Sequence, residues 1–134
     1  MTSTHTHQVG TFTAAYLRCF PYDIWRMALH VHALEVHADI LGLLAPRVFL
    51  DNGVSHRMVQ PQLRLLLAHA SVGLVHTVLI PGSWVFSLDD RRAGAVTAFL
   101  QGAGARVVEL PHGPDVWTAP GYAVTCCGPA TAER

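Results

Sequence analysis

Histidine, cysteine and carboxylate are the side chains here that could do chemistry, and their spacing limits what they could do. Nine histidines occur in 134 residues. His30, His32 and His37 fall in one helical stretch. His30 and His37 are seven apart and share a face, while His32 points elsewhere. Two ligands for one zinc ion on a helix need a spacing of three or four, as in HExxH, and no pair here has it. The expectation is surface or capping histidines and no metal, although spacing does not report on a site assembled from separate elements. His5 and His7 sit in a polar N-terminal stretch. The cysteines are Cys19, Cys126 and Cys127. An odd count with an adjacent pair is neither a disulfide framework nor CxxC, and a bond between adjacent cysteines is strained. Such usage fits a reducing compartment.

Familiar cofactor motifs are missing. Cys19-Phe20-Pro21-Tyr22 stands where a GxGxxG turn would follow the first strand. Lysine does not occur in the sequence, which removes the P-loop and, with the missing acidic cluster after the first strand, a receiver-type phospho-acceptor. No GxSxG nucleophile elbow occurs. No cofactor is expected. One carboxylate stands out: Asp51 ends a strand, at the end where ligands gather in open α/β sheets.

These residues must be positioned by elements that periodicity reveals. Residues 11–19 (TFTAAYLRC) read as a strand, stopped by Pro21. From Trp25 to Leu44, apolar residues at Met27, Val31, Leu34, Ala38 and Leu41 have helical spacing, with Pro46 as the stop. Residues 47–50 (RVFL) form a second strand, ended by Asp51-Asn52-Gly53. Pro61 opens a helix with Leu63, Leu66, Leu67 and Ala70 on one side, closed by Gly73. Residues 77–80 (TVLI) suit a strand buried on both faces. Asp89 or Asp90 caps a third helix with Ala95, Val96, Phe99 and Leu100 inward, and residues 106–110 (RVVEL) form a fourth strand. Strands alternating with helices over short connections predict an α/β three-layer sandwich with a mainly parallel sheet of four to five strands. Residues 1–10 are expected as a flexible arm and 11–110 as one domain. Residues 111–134 form a Pro/Gly-rich tail in which 122–125 is a candidate short strand.

Composition narrows the classes further. Apolar residues make up 51% and charged residues 13%, which excludes a disordered polar chain. Nine basic and nine acidic residues cancel, so no net field favours DNA or anionic lipid. No stretch is apolar enough for a membrane span, and the N-terminus does not read as a signal peptide. A cytoplasmic protein is expected.

Several strings, in order, resemble the N-terminal catalytic domain of serine recombinases, the resolvase/invertase family. Tyr16-Leu17-Arg18-Cys19-Phe20 stands where that family has Y-x-R-x-S, and His30 to Leu34 stands at its Q-x-x-A-L. Phe49 to Ser55 resembles its strand end and D-x-G-x-S turn. Gln60 to Leu67 (QPQLRLLL) resembles R-P-x-L-x-x-L-L, Val75 to Ile80 its third strand, and Leu100 to Val107 its L-x-x-x-G-x-x-v. Trp84 to Leu88 takes the place of D-R-L-x-R. The resemblance covers residues 12–110 and implies a resolvase-like fold.

It also implies a lost activity. Recombination needs a serine oxygen that attacks a phosphodiester, and guanidinium groups that stabilise the charge developing there. Phe20 replaces that serine; Gln60, Val85 and Leu88 replace three arginines, and Trp84 replaces an aspartate. Tyr16, Arg18 and Asp51 are what the resemblance leaves of the pocket. Cys19 neighbours the lost serine but alternation turns it to the opposite face, and Ser83 and Ser87 have no evident base. The tail does not read as the long helix and helix-turn-helix that follow in the family.

The expected function is therefore a non-catalytic recombinase-like domain that binds itself or a protein partner. Its contact surface would be the apolar group Phe20, Trp84, Val85 and Leu88, and a symmetric homodimer is the default assembly. The bland counterpart is a collapsed pocket in which these side chains are extra core. A second reading is a small-anion-binding or hydrolytic enzyme in which Arg18 grips, Asp51 orients, and His56 or His76 moves a proton. A third is a DNA-binding accessory without cleavage, which neutral net charge disfavours.

Overall fold

The computed structural model describes residues 11–55 and 58–111. Four strands, β1 (Phe12–Cys19), β2 (Arg47–Asn52), β3 (Val75–Ile80) and β4 (Arg106–Glu109), form one sheet in the order β2-β1-β3-β4. Every pairing is parallel. Three helices join them: α1 (Ile24–Ile40), α2 (Pro61–Ser71) and α3 (Asp90–Gly102), with a short 3-10 turn at Ser83–Val85. The expected α/β three-layer sandwich is the observed one, with four strands; the candidate strand at 122–125 lies outside the described residues.

Alternation along β1 builds both cores. Ala14 and Tyr16 face Leu63, Leu66 and Ala70 of α2 and Ala93 and Leu100 of α3. Ala15 and Leu17 face Met27, Ala33, Leu34 and Ala38 of α1. β1 and β3 are central and buried on both sides, as parallel strands under helices must be. Phe12, at the other end of the sheet from the candidate site, stacks on Phe49 and carries the Arg47 guanidinium 4.1 Å above its ring.

Punctuation residues act as expected at several boundaries. Pro61 is the first residue of α2, where its missing N–H costs nothing. Asp89 caps α3 by accepting from the Arg91 amide at 2.9 Å. Gly53 ends β2 with φ +88, a left-handed conformation that favours glycine. β2 runs two residues beyond the expected Leu50, and β3 starts two residues before the expected Thr77.

Two helix faces differ from the expected ones. α1 stops at Ile40, because Gly42 at φ +75 turns the chain four residues before Pro46. Its buried residues are Met27, His30, Ala33, Leu34, His37 and Ala38; Val31 is half-buried and Leu41 exposed. The helix is apolar nearly all round, with Ile24, Trp25, Leu29 and Ile40 exposed, so periodicity alone does not single out the inward face. His30 and His37 are consequently buried rather than surface groups. In α3, Ala93 and Leu100 are buried and Val96 lies against the core, while Ala95 and Phe99 are exposed.

Candidate functional site

The C-terminal ends of β1 and β2, the start of α2 and the 3-10 turn converge on one polar cluster. Arg18 and Asp51 are partners in the β1–β2 register. The Tyr16 hydroxyl donates to Asp51 Oδ2 at 2.6 Å, across the face the two strands share. Gln60 Nε2 donates to Tyr16 Oη at 2.8 Å and to the Val85 carbonyl at 3.2 Å. Asp51 Oδ1 accepts from the Gln62 amide at 3.0 Å, and Oδ2 accepts from the Leu63 amide at 3.1 Å.

Asp51 therefore does the work of a helix cap from another element. The residue at the cap position of α2, Gln60, makes no side-chain capping bond, and the next, Pro61, has no N–H. The following two amides would be left buried and unmet. A carboxylate delivered by β2 meets both, at the positive end of the helix dipole. Asp51 is 2% exposed, and both oxygens are engaged. Burial, and then the bond to Asp51, raises the Tyr16 pKa far above its ordinary value, so the phenol stays protonated and donates.

Arg18 is also held inside, at 4% exposure, with Nη2 donating to the Val54 carbonyl. Burial lowers its pKa, and Tyr16 and Asp51 oppose that shift. The guanidinium remains a cation, and one of its donors braces the turn after β2.

The other residues of the inferred pocket part company. Val85 is fully buried, and Trp84 is half-buried against the core on the α2–α3 side. The Trp84 indole lies so close over Gly82 that a Cβ there would sit 2.6 Å from Nε1. Phe20 and Leu88 are exposed. The expected apolar surface thus splits: two members join the interior, as the collapsed-pocket reading has it, and two face solvent. The structure joins Tyr16, Asp51, Gln60 and Val85 by hydrogen bonds, places Arg18 beside them in register, and leaves Phe20 and Leu88 outside.

Of the two proposed proton carriers, the one among the described residues, His76, lies elsewhere. His76 bonds Thr13 and Thr77, at 3.3 and 2.9 Å, near the start of β1. Thr13 precedes Arg18 by five residues, roughly 16 Å of strand, so His76 cannot serve Arg18 or Asp51. His56 lies outside the described residues. Cys19 is half-buried against the α1-side core and donates to the Pro21 carbonyl at 3.4 Å. Burial, then Asp23, raises its pKa, which keeps it a thiol rather than a nucleophilic thiolate. Ser87 accepts from the Asp89 amide, as a turn residue.

Sequence reasoning missed the backbone members: the Gln62 and Leu63 amides and the Val54 carbonyl. The available signal was an Asp at a strand end followed by a helix opening with Gln60-Pro61, a start with no side-chain cap of its own. It also missed that His30 lies inside, where desolvation and then Arg26 push its pKa down to about 4; burial lowers that of His37 as well. Among the described residues no group of three or more His, Cys, Asp or Glu could hold a metal ion, and no helix is long and apolar enough to cross a membrane. The described cluster ties four elements together, with Asp51 accepting three hydrogen bonds, from Tyr16, Gln62 and Leu63. No protein-family model, curated protein or solved structure matches the chain.

Proposed function

We propose that this chain is a non-catalytic domain of serine-recombinase type that acts through protein–protein contact. One observation carries the reading. Directly after β1, where the resemblance places the nucleophile, the chain presents Phe20, Tyr22, Ile24 and Trp25 to solvent, Trp25 at 79%. Four large apolar side chains within six residues are costly to leave in water and suit an interface anchor. The polar residues beside them are spent on internal bonds, so they favour a scaffold over a reacting site. Phe20 in the nucleophile's place has no oxygen with which to attack a phosphodiester.

The test has two arms. Incubated with duplex DNA and denatured, the protein is expected to give no nicked strand and no covalent adduct; either product overturns the non-catalytic reading. Light scattering of the full chain is expected to show self-association, or affinity capture a defined partner, weakened at least about tenfold by Trp25→Glu with an unchanged melting temperature. A strict monomer that captures nothing overturns the contact reading. The small-anion alternative has less support, because Arg18 and Asp51 are both buried and internally bonded. A thermal shift with phosphorylated metabolites would revive it.

A further inference from the structure

The two faces of the sheet are unequally covered. Among the described residues, α2 and α3 lie on one face and α1 alone on the other. The difference shows at the edge strand β2. Phe49 and Asp51 point under α2 and are buried, whereas Val48 is half-buried and Leu50 is 38% exposed on the α1 side. Parallel strands are ordinarily covered on both faces.

A trough runs along α1 beside this uncovered strip. One part, about 410 Å³, is floored by Ile24, Met27, Ala28, Val31 and Leu50. A second part, about 360 Å³, continues past Val36 and Leu43. The two share His32 and Glu35. α1 has 17 residues, so the trough is roughly 25 Å long at 1.5 Å per residue. The strip beside α1 is where a further helix of this layer would lie, at the usual spacing of about 8–10 Å.

Charge decides which helix. Among the described residues, the charged side chains lining the trough are Glu35 and Asp39, and no arginine lines it. Neither carboxylate is in an ion pair among the described residues, where the pairs are Arg26 with Asp23 and Arg92 with Asp89. We infer that the trough receives a basic amphipathic helix from a partner protein, its apolar side on Val31 and Leu50 and its Lys or Arg residues against Glu35 and Asp39. A second copy fits less well, because α1 itself carries one arginine, Arg26, beside two acidic residues, Glu35 and Asp39. The inference deepens the protein-contact reading and rests on it; its surface is the flank of α1, which shares Tyr22 and Ile24 with the first patch but does not include Trp25.

Two synthetic helical peptides about as long as α1, with one shared leucine stripe and a polar face of lysine or of glutamate, provide the test. Binding to the full chain is followed by fluorescence anisotropy. The lysine peptide is expected to bind at least about tenfold more tightly than the glutamate peptide, and less tightly at about 0.5 M salt, where charges are screened. Glu35→Lys with Asp39→Lys is expected to reverse the preference, and Leu50→Asn to weaken the lysine peptide; circular dichroism melts confirm that both variants fold. Equal binding of the two peptides, or lysine-peptide binding unaffected by the charge reversal, overturns the inference. If the peptides fail while association still depends on Trp25, the trough is wrong and the contact reading stands. If both fail, both are wrong.

Discussion

Asp51 shows how a residue that looks chemical becomes structural. A carboxylate at a strand end is where ligands collect in open α/β sheets, and that placement was legible in the sequence. Its partners were not, because two of the three are backbone amides set by a helix eleven residues on. Asp51→Ala removes three bonds to a buried carboxylate and leaves the Gln62 and Leu63 amides unmet, a loss on the order of 3 kcal/mol. Tyr16→Phe removes one donor from the same carboxylate and orphans part of Gln60, at about 1 kcal/mol. Urea unfolding of the two variants at neutral pH checks both magnitudes and their order. His30 makes a separate prediction. Its folded pKa is about 4 against an ordinary 6.5, so between those values the unfolded chain binds the extra proton. Stability from this group is complete above about pH 6.5, falls as the pH drops to 4, and is level below that. The loss is about 3 kcal/mol. His37, shifted in the same direction, adds to it. His30→Leu is expected to flatten the pH 6.5–4 decline in denaturation midpoint, and an unaltered decline would show that other groups cause it.

At the scale of elements, the sequence was most legible where one residue type has one conformational use. Pro61, Asp89 and Gly53 mark boundaries because a ring, a capping oxygen and a positive φ are local facts. The inward face of α1 was illegible for the opposite reason. With apolar residues on every side, the choice is made by how α1 meets Ala15 and Leu17 across the sheet, and that is a long-range event. α3 failed similarly: Phe99 is the largest apolar residue of the helix, yet Ala93 lies inside, in one cluster with Val85 and Phe86 of the 3-10 turn region. The local devices can be tested one at a time. Asp23 Oδ1 accepts from the Arg26 amide at 3.0 Å and caps α1, so Asp23→Ala is expected to cost about 1 kcal/mol. Gly53→Ala requires an L side chain at φ +88 and places its Cβ 3.3 Å from Tyr22 Cβ. It is expected to cost about 1–2 kcal/mol and to shift the Tyr22 ring resonances in an NMR spectrum of the folded protein, a local signature that a general loss of stability would not give.

For the whole molecule, the sheet order explains why the polar cluster sits where it does. β1 pairs with β2 on one side and β3 on the other, so the connection out of β1 and the connection out of β2 leave on opposite faces. The crevice between such connections is the usual ligand position. Here Gln60 reaches from the start of α2 to the Val85 carbonyl and closes part of it with internal bonds. Layer order was legible from alternating periodicity, but the uneven cover of the two faces was not, since it depends on which strands a lone helix rests upon. That unevenness predicts a gradient in local stability. Among the described residues, β1 and β3 exchange hydrogen bonds on both sides and are buried under both layers, while β2 is an edge strand whose α1-side face is only partly covered. Amide hydrogen exchange at low protein concentration is expected to be slowest in β1 and β3. At Val48 and Leu50 it is expected to be faster by at least about tenfold, the mark of sub-global opening. Raising the protein concentration is expected to leave that difference in place, because the proposed occupant of the strip is a basic helix of a partner, not a second copy. Protection at β2 that rises with concentration until it equals β1 would instead assign the strip to a dimer of this chain.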